Sequence, residues 1–598
     1  INAMKNIYFF QVNFPIGFGK FETHWLPYAV ARLWSYAKTD LYVNKTYCAK
    51  DFIFERLPID NFVESIDTID IAAFSSYIWN ENYNLKLAKA IKQKFPNCLI
   101  VFGGPQVPDK PAQFHKDYPF VDHTFHGESE YLFKEFLIDN NKPKSIIGSR
   151  IADLDTLCSP FVDGVLDSIV AKHRNKNFSI TLETNRGCPY ACTFCDWGSL
   201  TFNKIKKFDC NLVKKEIEWI SKNGIKFVDV ADANFGIFKD RDFGLLKHMI
   251  DQKQTYGYPE TYSFNWQKNS TEHTLEMVEY LTNNNSARGF TLSVQSMSDE
   301  VLTNIKRKNM EVSNFQNIMQ QCNVKNIQTY TELILGLPGE TYNSWVTGID
   351  KLLTVGQHNN IEVWLCQMLV NAELSNNESL KKYDIKTSNI KNYISGDTSE
   401  EGQEGIQVIK STNTLSYDEL LDCYMYSWMI ANFHSFGWTQ IISRWLHVTE
   451  GLAYKDFYDN LLTKLVHHPF YIEVRNNVDQ AYQTGLIQQK GMHYYIAESQ
   501  KKLHMNREDV FTLIESMNYD IPSDIFKFTR LYVTEVNRPV NTLVEFDIPV
   551  WNIINNISND DSIYTFKWTE DVTDEQEYYD SFYFRRRKGW GKCIVTSS

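Results

Sequence analysis

The chain has 598 residues, 43% hydrophobic and 14% aromatic, with 61 Lys and Arg against 73 Asp and Glu for a formal charge of −12. That much aromatic side chain excludes a disordered chain, and 27 Gly with 17 Pro exclude a collagen-like or low-complexity one. The acidic balance speaks against a bulk nucleic-acid binder, which needs a basic face for phosphates.

At roughly 100–200 residues per domain, the length predicts about three to five domains. No apolar run is long enough for a membrane span, so no membrane partner is expected. The start, Ile1-Asn2-Ala3-Met4, lacks the basic and apolar stretches of a secretory signal, with Met4 read as the natural start. A cytoplasmic location is the expectation. The one dense basic run, Arg585-Arg586-Arg587-Lys588, reads as a solvated tail rather than a phosphate contact. An odd count of 11 Cys argues against a disulfide framework and raises the question of which thiols do chemistry.

Residues 5–140 alternate short apolar runs with helical stretches, as in a parallel sheet covered on both faces. Strands are expected at Ile7–Val12, Asp70–Ser75, Leu99–Phe102 and Asp122–Phe125, and helices at Leu26–Ala37, Tyr83–Phe95 and from Glu128. Residues 141–177, with Lys142-Pro143-Lys144 and Ser159-Pro160, read as a linker between domains. From Phe178 a second series begins, with strands expected at Phe178–Glu183, Lys226–Ala231, Thr261–Asn265, Gly289–Val294, Thr329–Leu335 and Ile361–Met368. Six consecutive βα units over 178–374 suit a partial barrel whose functional loops lie at the C-terminal ends of the strands. Residues 375–598 lose the strand rhythm and read as helix-rich. There Tyr424, Tyr426, Trp428, Trp438 and Trp445 recur at helical spacing, as core residues do.

In the loop after the first barrel strand, Cys188, Cys192 and Cys195 stand at spacings of four and three. Three thiolates on one loop can hold a [4Fe–4S] cluster and leave one iron open to an exogenous donor. A closed zinc site wants four ligands, and no fourth Cys or His follows nearby. The other eight thiols, Cys366 at the barrel end among them, show no such clustering.

Residues 178–370 resemble the core of the radical S-adenosylmethionine (SAM) superfamily, whose CxxxCxxC motif is matched by Cys188, Cys192 and Cys195. The resemblance implies a SAM chelated at the open iron and cleaved reductively to a 5′-deoxyadenosyl radical, with the protein positioning and shielding. It also implies an external one-electron donor, flavodoxin- or ferredoxin-like. The residues it places at SAM are Phe194, Asp232, Asn234, Asn265, Ser293, Gln295, Glu332 and Gly336. The stretch after the second strand, Asp232-Ala233-Asn234, departs from the family's common Gly-Gly-Glu form.

The N-terminal domain resembles the cobalamin-binding domains of cobalamin-dependent radical SAM enzymes. Ser75, Ser76, Tyr77 and Trp79 match the Ser-containing loop, Gly103, Gly104 and Pro105 the Gly-Gly loop, and Gly127-Glu128-Ser129-Glu130 the closing motif. The Asp-x-His-x-x-Gly motif that supplies a lower axial histidine elsewhere is missing, and His24 has the wrong surroundings. The expectation is therefore no histidine on cobalt, with Trp79 or Tyr77 covering the lower face.

The fold class expected is α/β: a doubly wound Rossmann-like cobalamin domain, a partial (β/α)6 TIM barrel of radical SAM type, and a helix-rich C-terminal domain close to the substrate. The function that follows is methylation of an unactivated carbon through the adenosyl radical and methylcobalamin. Rearrangement, cyclisation or oxidation without methyl transfer is the alternative, and a non-catalytic iron–sulfur protein a third reading. The substrate, a small molecule or a peptide, is left open.

Overall fold

The computed structural model describes residues 4–16, 22–197, 204–269, 271–287, 289–391, 404–485, 491–533, 541–568 and 593–597. The basic run at 585–588 lies outside them. Among the described residues no helix is long and apolar enough to cross a membrane.

The first elements are β1 (Lys5–Asn13), β2 (His24–Trp25), β3 (Tyr47–Glu55), β4 (Ile71–Ser75), β5 (Leu99–Gly103), β6 (His123–His126) and β7 (Ser145–Ile147). All but β2 form one parallel sheet in the order β3-β1-β4-β5-β6-β7. Because side chains alternate along a strand, β1 serves two cores. Phe9 stacks on Phe52 and meets Trp34 and Phe133 on one face, while Phe10 stacks on Phe74 and meets Phe62 on the other. The strand order reverses at β1 and β4, so the loops after those two strands open a crevice at the carboxyl edge, where doubly wound sheets bind ligands.

Two strands differ from the sequence reading. β3 was not expected, because Lys50, Asp51 and Glu55 break its apolar run. β7 extends the sheet into the stretch read as a linker, which also carries the helix Val165–Lys172.

The barrel strands are β8 (Phe178–Leu182), β9 (Asn185–Arg186), β10 (Lys206–Lys207), β11 (Phe227–Phe235), β12 (Thr261–Trp266), β13 (Phe290–Gln295), β14 (Thr329–Leu335) and β15 (Asn360–Leu365). They pair as two parallel arcs, β12-β11-β8-β2 and β13-β14-β15, joined by a single bridge between Tyr262 and Ala287. The edge of the first arc is β2, supplied by the N-terminal segment. β9 and β10 form a short antiparallel ribbon at the neck of the cysteine loop.

Among the described residues between Tyr417 and Tyr532 the C-terminal part is mainly helical, with a π-helical turn at Ile430–Ser435. It also contains strands absent from the sequence reading: the hairpin of β16 (Lys386–Lys391) and β17 (Gly405–Ser411), and an antiparallel sheet of β18 (Asn541–Glu545), β19 (Ile563–Trp568) and β20 (Cys593–Ser597). Tyr424, Tyr426, Trp428, Trp438 and Trp445 are all buried. They belong to one apolar core continuous with the barrel and with one face of the first sheet.

Candidate active site

The cysteine loop leaves β8 through Thr184 and Asn185, and the carboxylate of Asp232 on β11 holds both. Asp232 accepts from the Thr184 and Asn185 backbone N–H at 2.8 and 3.0 Å, from Asn185 Nδ2 at 2.7 Å and from Thr184 Oγ1. Burial pushes its carboxyl up to about 7 against the pull of these hydrogen bonds. Arg241 adds bonds from its guanidinium to Thr184 Oγ1 and O. Asp232 is fully enclosed, and both its oxygens are engaged by the loop, so in this structure it is a strut of the cysteine loop. Gly187, at φ +119°, lets that loop double back, since a Cβ would stand 2.2 Å from Lys204 O.

Cys188 and Cys192 are buried and Cys195 is half-buried. Burial raises the Cys195 thiol. Asn234 Nδ2 donates to Cys188 Sγ at 3.3 Å, which places this residue against the cysteine loop. Lys268 Nζ donates to Cys192 Sγ at 3.2 Å and lies 4.7 Å over the Tyr190 ring. Arg307, buried beside Cys192 and Cys195, donates to Ser293 O and, at 2.9 Å, to Asn309 Oδ1. Three thiols flanked by two cations fit the anionic core of an iron–sulfur cluster. Among the described residues no three His, Cys, Asp or Glu side chains close on a single metal ion; a four-iron cube holds its thiolates further apart than one ion does.

The remaining residues assigned to SAM divide in two. Asn265 and Glu332 line a polar cavity of about 390 Å³ inside the barrel, with Asp229, Tyr330 and Glu362. Ser293 donates to Glu332, and Gln295 takes φ +66° where the β13–β14 register slips. Phe194 instead packs on the apolar cluster of Val301, Ile305, Leu337 and Cys366. Gly336, at φ +101°, packs closely on the hairpin: a Cβ there would press on Ile409 of β17 at 3.3 Å. Cys366 is enclosed in the same cluster, its thiol pushed up to about 12 by burial.

Between sheet and barrel lies a cavity of about 650 Å³. Its sheet wall includes Ser75, Tyr77, Trp79, Gly103, Gly104 and Pro105; Thr181, Glu183, Ala231 and Trp197 face them from the barrel and cysteine loop. The Tyr77 and Trp79 rings stack at 4.5 Å and 8°. Ser76 ties the two loops together: its N–H donates to Gly103 O at 2.7 Å and its carbonyl accepts from Gln106 N at 3.1 Å. Gly104 lines the cavity and also lies tight on that loop, because a Cβ would stand 2.5 Å from Ser76 O. No histidine stands among the described residues lining the cavity. His24 lies between Glu22 and Glu55, at 3.1 and 3.4 Å. The stacked aromatic pair and the glycine backbone fit a large planar ligand, and the charged groups of the lining, Arg32, Arg186, Glu130 and Glu183 among them, pair with one another.

The two acids of Gly127-Glu128-Ser129-Glu130 are committed to ties around this cavity. Glu130 pairs with Arg186 at 2.7 Å, and Glu128 accepts from Ile151 N. Glu183 also binds Arg186, at 2.9 Å, and accepts from Tyr28 Oη; burial alone would raise it, but Arg186 and Arg32 hold it below the usual carboxylate range.

Sequence reasoning missed Lys268 and Arg307, since neither spacing nor residue type sets a lone cation apart. It also missed Asn371 and Glu404, which hold the loops of the first sheet from the barrel side. Asn371 donates to Pro105 O and Val107 O and accepts from Asp109 N, at 2.8–3.0 Å. Glu404 pairs with Arg56 at 2.6 Å and accepts from the Asn82 and Tyr83 backbone N–H, next to Trp79.

Residues 182–352 match the model of the Radical SAM superfamily. The chain is 32% identical over 479 residues to the cobalamin-dependent radical SAM methyltransferase TokK of Streptomyces tokunonensis, covering 76% of this chain and 69% of that protein. It is also 32% identical over 483 residues, at the same coverage, to the 2-(S-pantetheinyl)-carbapenam-3-carboxylate methyltransferase of Streptantibioticus cattleyicolor. Among solved structures, the cobalamin-dependent SAM radical enzyme OxsB with aqua-cobalamin and SAM bound shares the fold, with a TM-score of 0.52 at 14% identity over 88% of this chain and 83% of that one. The chain therefore belongs to the cobalamin-dependent radical SAM methyltransferases, with a [4Fe–4S] cluster, SAM and cobalamin as its cofactors.

Proposed function

We propose that the protein methylates an sp3 carbon of a small bicyclic carboxylate of the carbapenam type that carries a pantetheine thioether arm. The substrate class is supported by the activity for which the Streptantibioticus relative is named. The observation that carries the reading is the cavity of about 650 Å³, whose wall includes Trp79 from the sheet and Trp197, two residues beyond Cys195, so one space reaches both cofactor loops.

In this reading Cys188, Cys192 and Cys195 hold the cluster, with Asn234 and Lys268 against their sulfurs. Asn265, Ser293, Gln295 and Glu332 face SAM from the barrel interior, and Ser75, Tyr77, Trp79, Gly103, Gly104 and Pro105 form the cobalamin wall. When bound, the cluster and SAM supply hydrogen abstraction from the substrate, and cobalamin, recharged by a second SAM, supplies the methyl group. The chain's part is to orient and exclude water: Asp232 and Arg241 fix the cysteine loop, and Asn371 and Glu404 fix the loops of the first sheet. The electron comes from an external one-electron donor of flavodoxin or ferredoxin type.

The test is anaerobic incubation of the reconstituted protein with SAM, cobalamin, a chemical one-electron reductant and a pantetheinylated carbapenam. A product heavier by one methylene unit, with one deoxyadenosine and one S-adenosylhomocysteine formed per turnover, supports the proposal. Consumption of the substrate without gain of carbon overturns it.

A further inference from the structure

The cofactor loops occupy the C-terminal ends of the barrel strands. At the opposite end, below β14 and β15, a separate cavity of about 140 Å³ is walled by Asn323, Asn326 and Gln328 from the barrel, Gln440 and Arg444 from the helix Gln440–Glu450, and Asn555. Arg444 is only 6% exposed. Its Nη2 donates to Ile554 O at 3.0 Å and Asn555 Oδ1 at 2.7 Å, its guanidinium lies 5.9 Å from the Trp551 ring, and its enclosed Nε has no hydrogen-bond partner.

All these partners are neutral, and none of the described residues lining the cavity is acidic. The titratable neighbours are Tyr454 and Tyr532, uncharged phenols, His434, which burial and Arg444 keep neutral, and His358, Cys322 and Cys593, which line the cavity. A guanidinium taken out of water without a counter-charge is costly, and the usual remedy is an anion alongside it. Arginine presents its N–H groups in a fork that suits small anions, and the amides of Asn326 and Gln328 line the cavity beside it, whereas those of Asn323, Gln440 and Asn555 donate to backbone carbonyls.

We propose that this cavity binds a small inorganic anion, a halide or a tetrahedral oxyanion, against Arg444. The walls come from the barrel underside, the helical layer and β20, so the anion ties the C-terminal part to the barrel and acts on stability rather than on the chemistry above.

The full-length protein, exchanged into a salt of a bulky organic anion, is titrated with bromide or with phosphate at constant ionic strength, and its unfolding temperature is followed. A saturable rise with at least one of them is expected, and the two arms separate halide from oxyanion. Arg444→Gln abolishes the rise, whereas Arg444→Lys retains part of it. Crystals soaked in bromide give an anomalous peak within hydrogen-bond distance of Arg444, a readout that does not require the variants to fold. The proposal is overturned if the wild type shows neither a saturable rise nor such a peak, or if Arg444→Gln keeps the rise.

Discussion

Asp232 on β11 is the acceptor of four donors from Thr184 and Asn185. Asp232→Asn turns one acceptor into a donor and faces N–H against N–H in an enclosed site, at about 1–3 kcal/mol. Lower iron content after reconstitution and a lower unfolding temperature are the expected outcomes, read by metal analysis and calorimetry. Lys268 acts on the other side of the cysteines. Lys268→Met removes a cation and an N–H···S bond from Cys192 and shifts the cluster's reduction potential to more negative values, as an EPR-monitored redox titration measures. The cysteines are legible in sequence because their spacing is local. Lys268 and Arg307 are not, because only the convergence of two separate strand-end loops brings them to the thiols.

Among the elements, the loops at the crevice are held by residues from beyond the barrel's last strand. Glu404→Gln leaves the buried Arg56 guanidinium without its counter-ion; both side chains are below one-tenth exposed. The expected cost is about 3 kcal/mol, from thermal unfolding, together with weaker cobalamin retention in equilibrium dialysis. Asn371→Ala removes three hydrogen bonds from the Pro105–Asp109 loop. It lowers cobalamin affinity while leaving iron content unchanged, because Asn371 touches none of the cysteines. Strands with unbroken apolar runs, such as β4 and β5, were legible. β3 carries charges mid-run, and β16 to β20 lie among helices whose periodicity dominates the reading of that region. The glycines carry a second meaning that sequence does not display: Gly104 and Gly336 also mark close approach of neighbouring chain, at Ser76 and at Ile409.

Across the whole molecule, the barrel and helical layer share one core, and burial there fixes the response to acid. His434 and His504 are both pushed down to about 3 by burial, with Arg444 and Arg507 adding to it. In the unfolded chain a histidine takes up a proton near pH 6.5, whereas these two stay neutral when folded. Stability is therefore full above that pH and falls as the pH drops from about 6.5 towards 3, by about 1.4 kcal/mol per pH unit for each histidine. His434→Gln halves this part of the slope, which unfolding midpoints between pH 7 and pH 5 record.

The pairing of β2 with β8 carries a consequence for modularity. The chain enters the first sheet at β1, leaves it to edge the barrel, and returns at β3, so the two cofactor lobes are stitched together rather than strung in series. Cutting the gene at residue 177 would strip the barrel of its border and expose the backbone of β8 to association with other chains. Recombination between relatives of this enzyme must therefore exchange the lobes together or place its junction elsewhere.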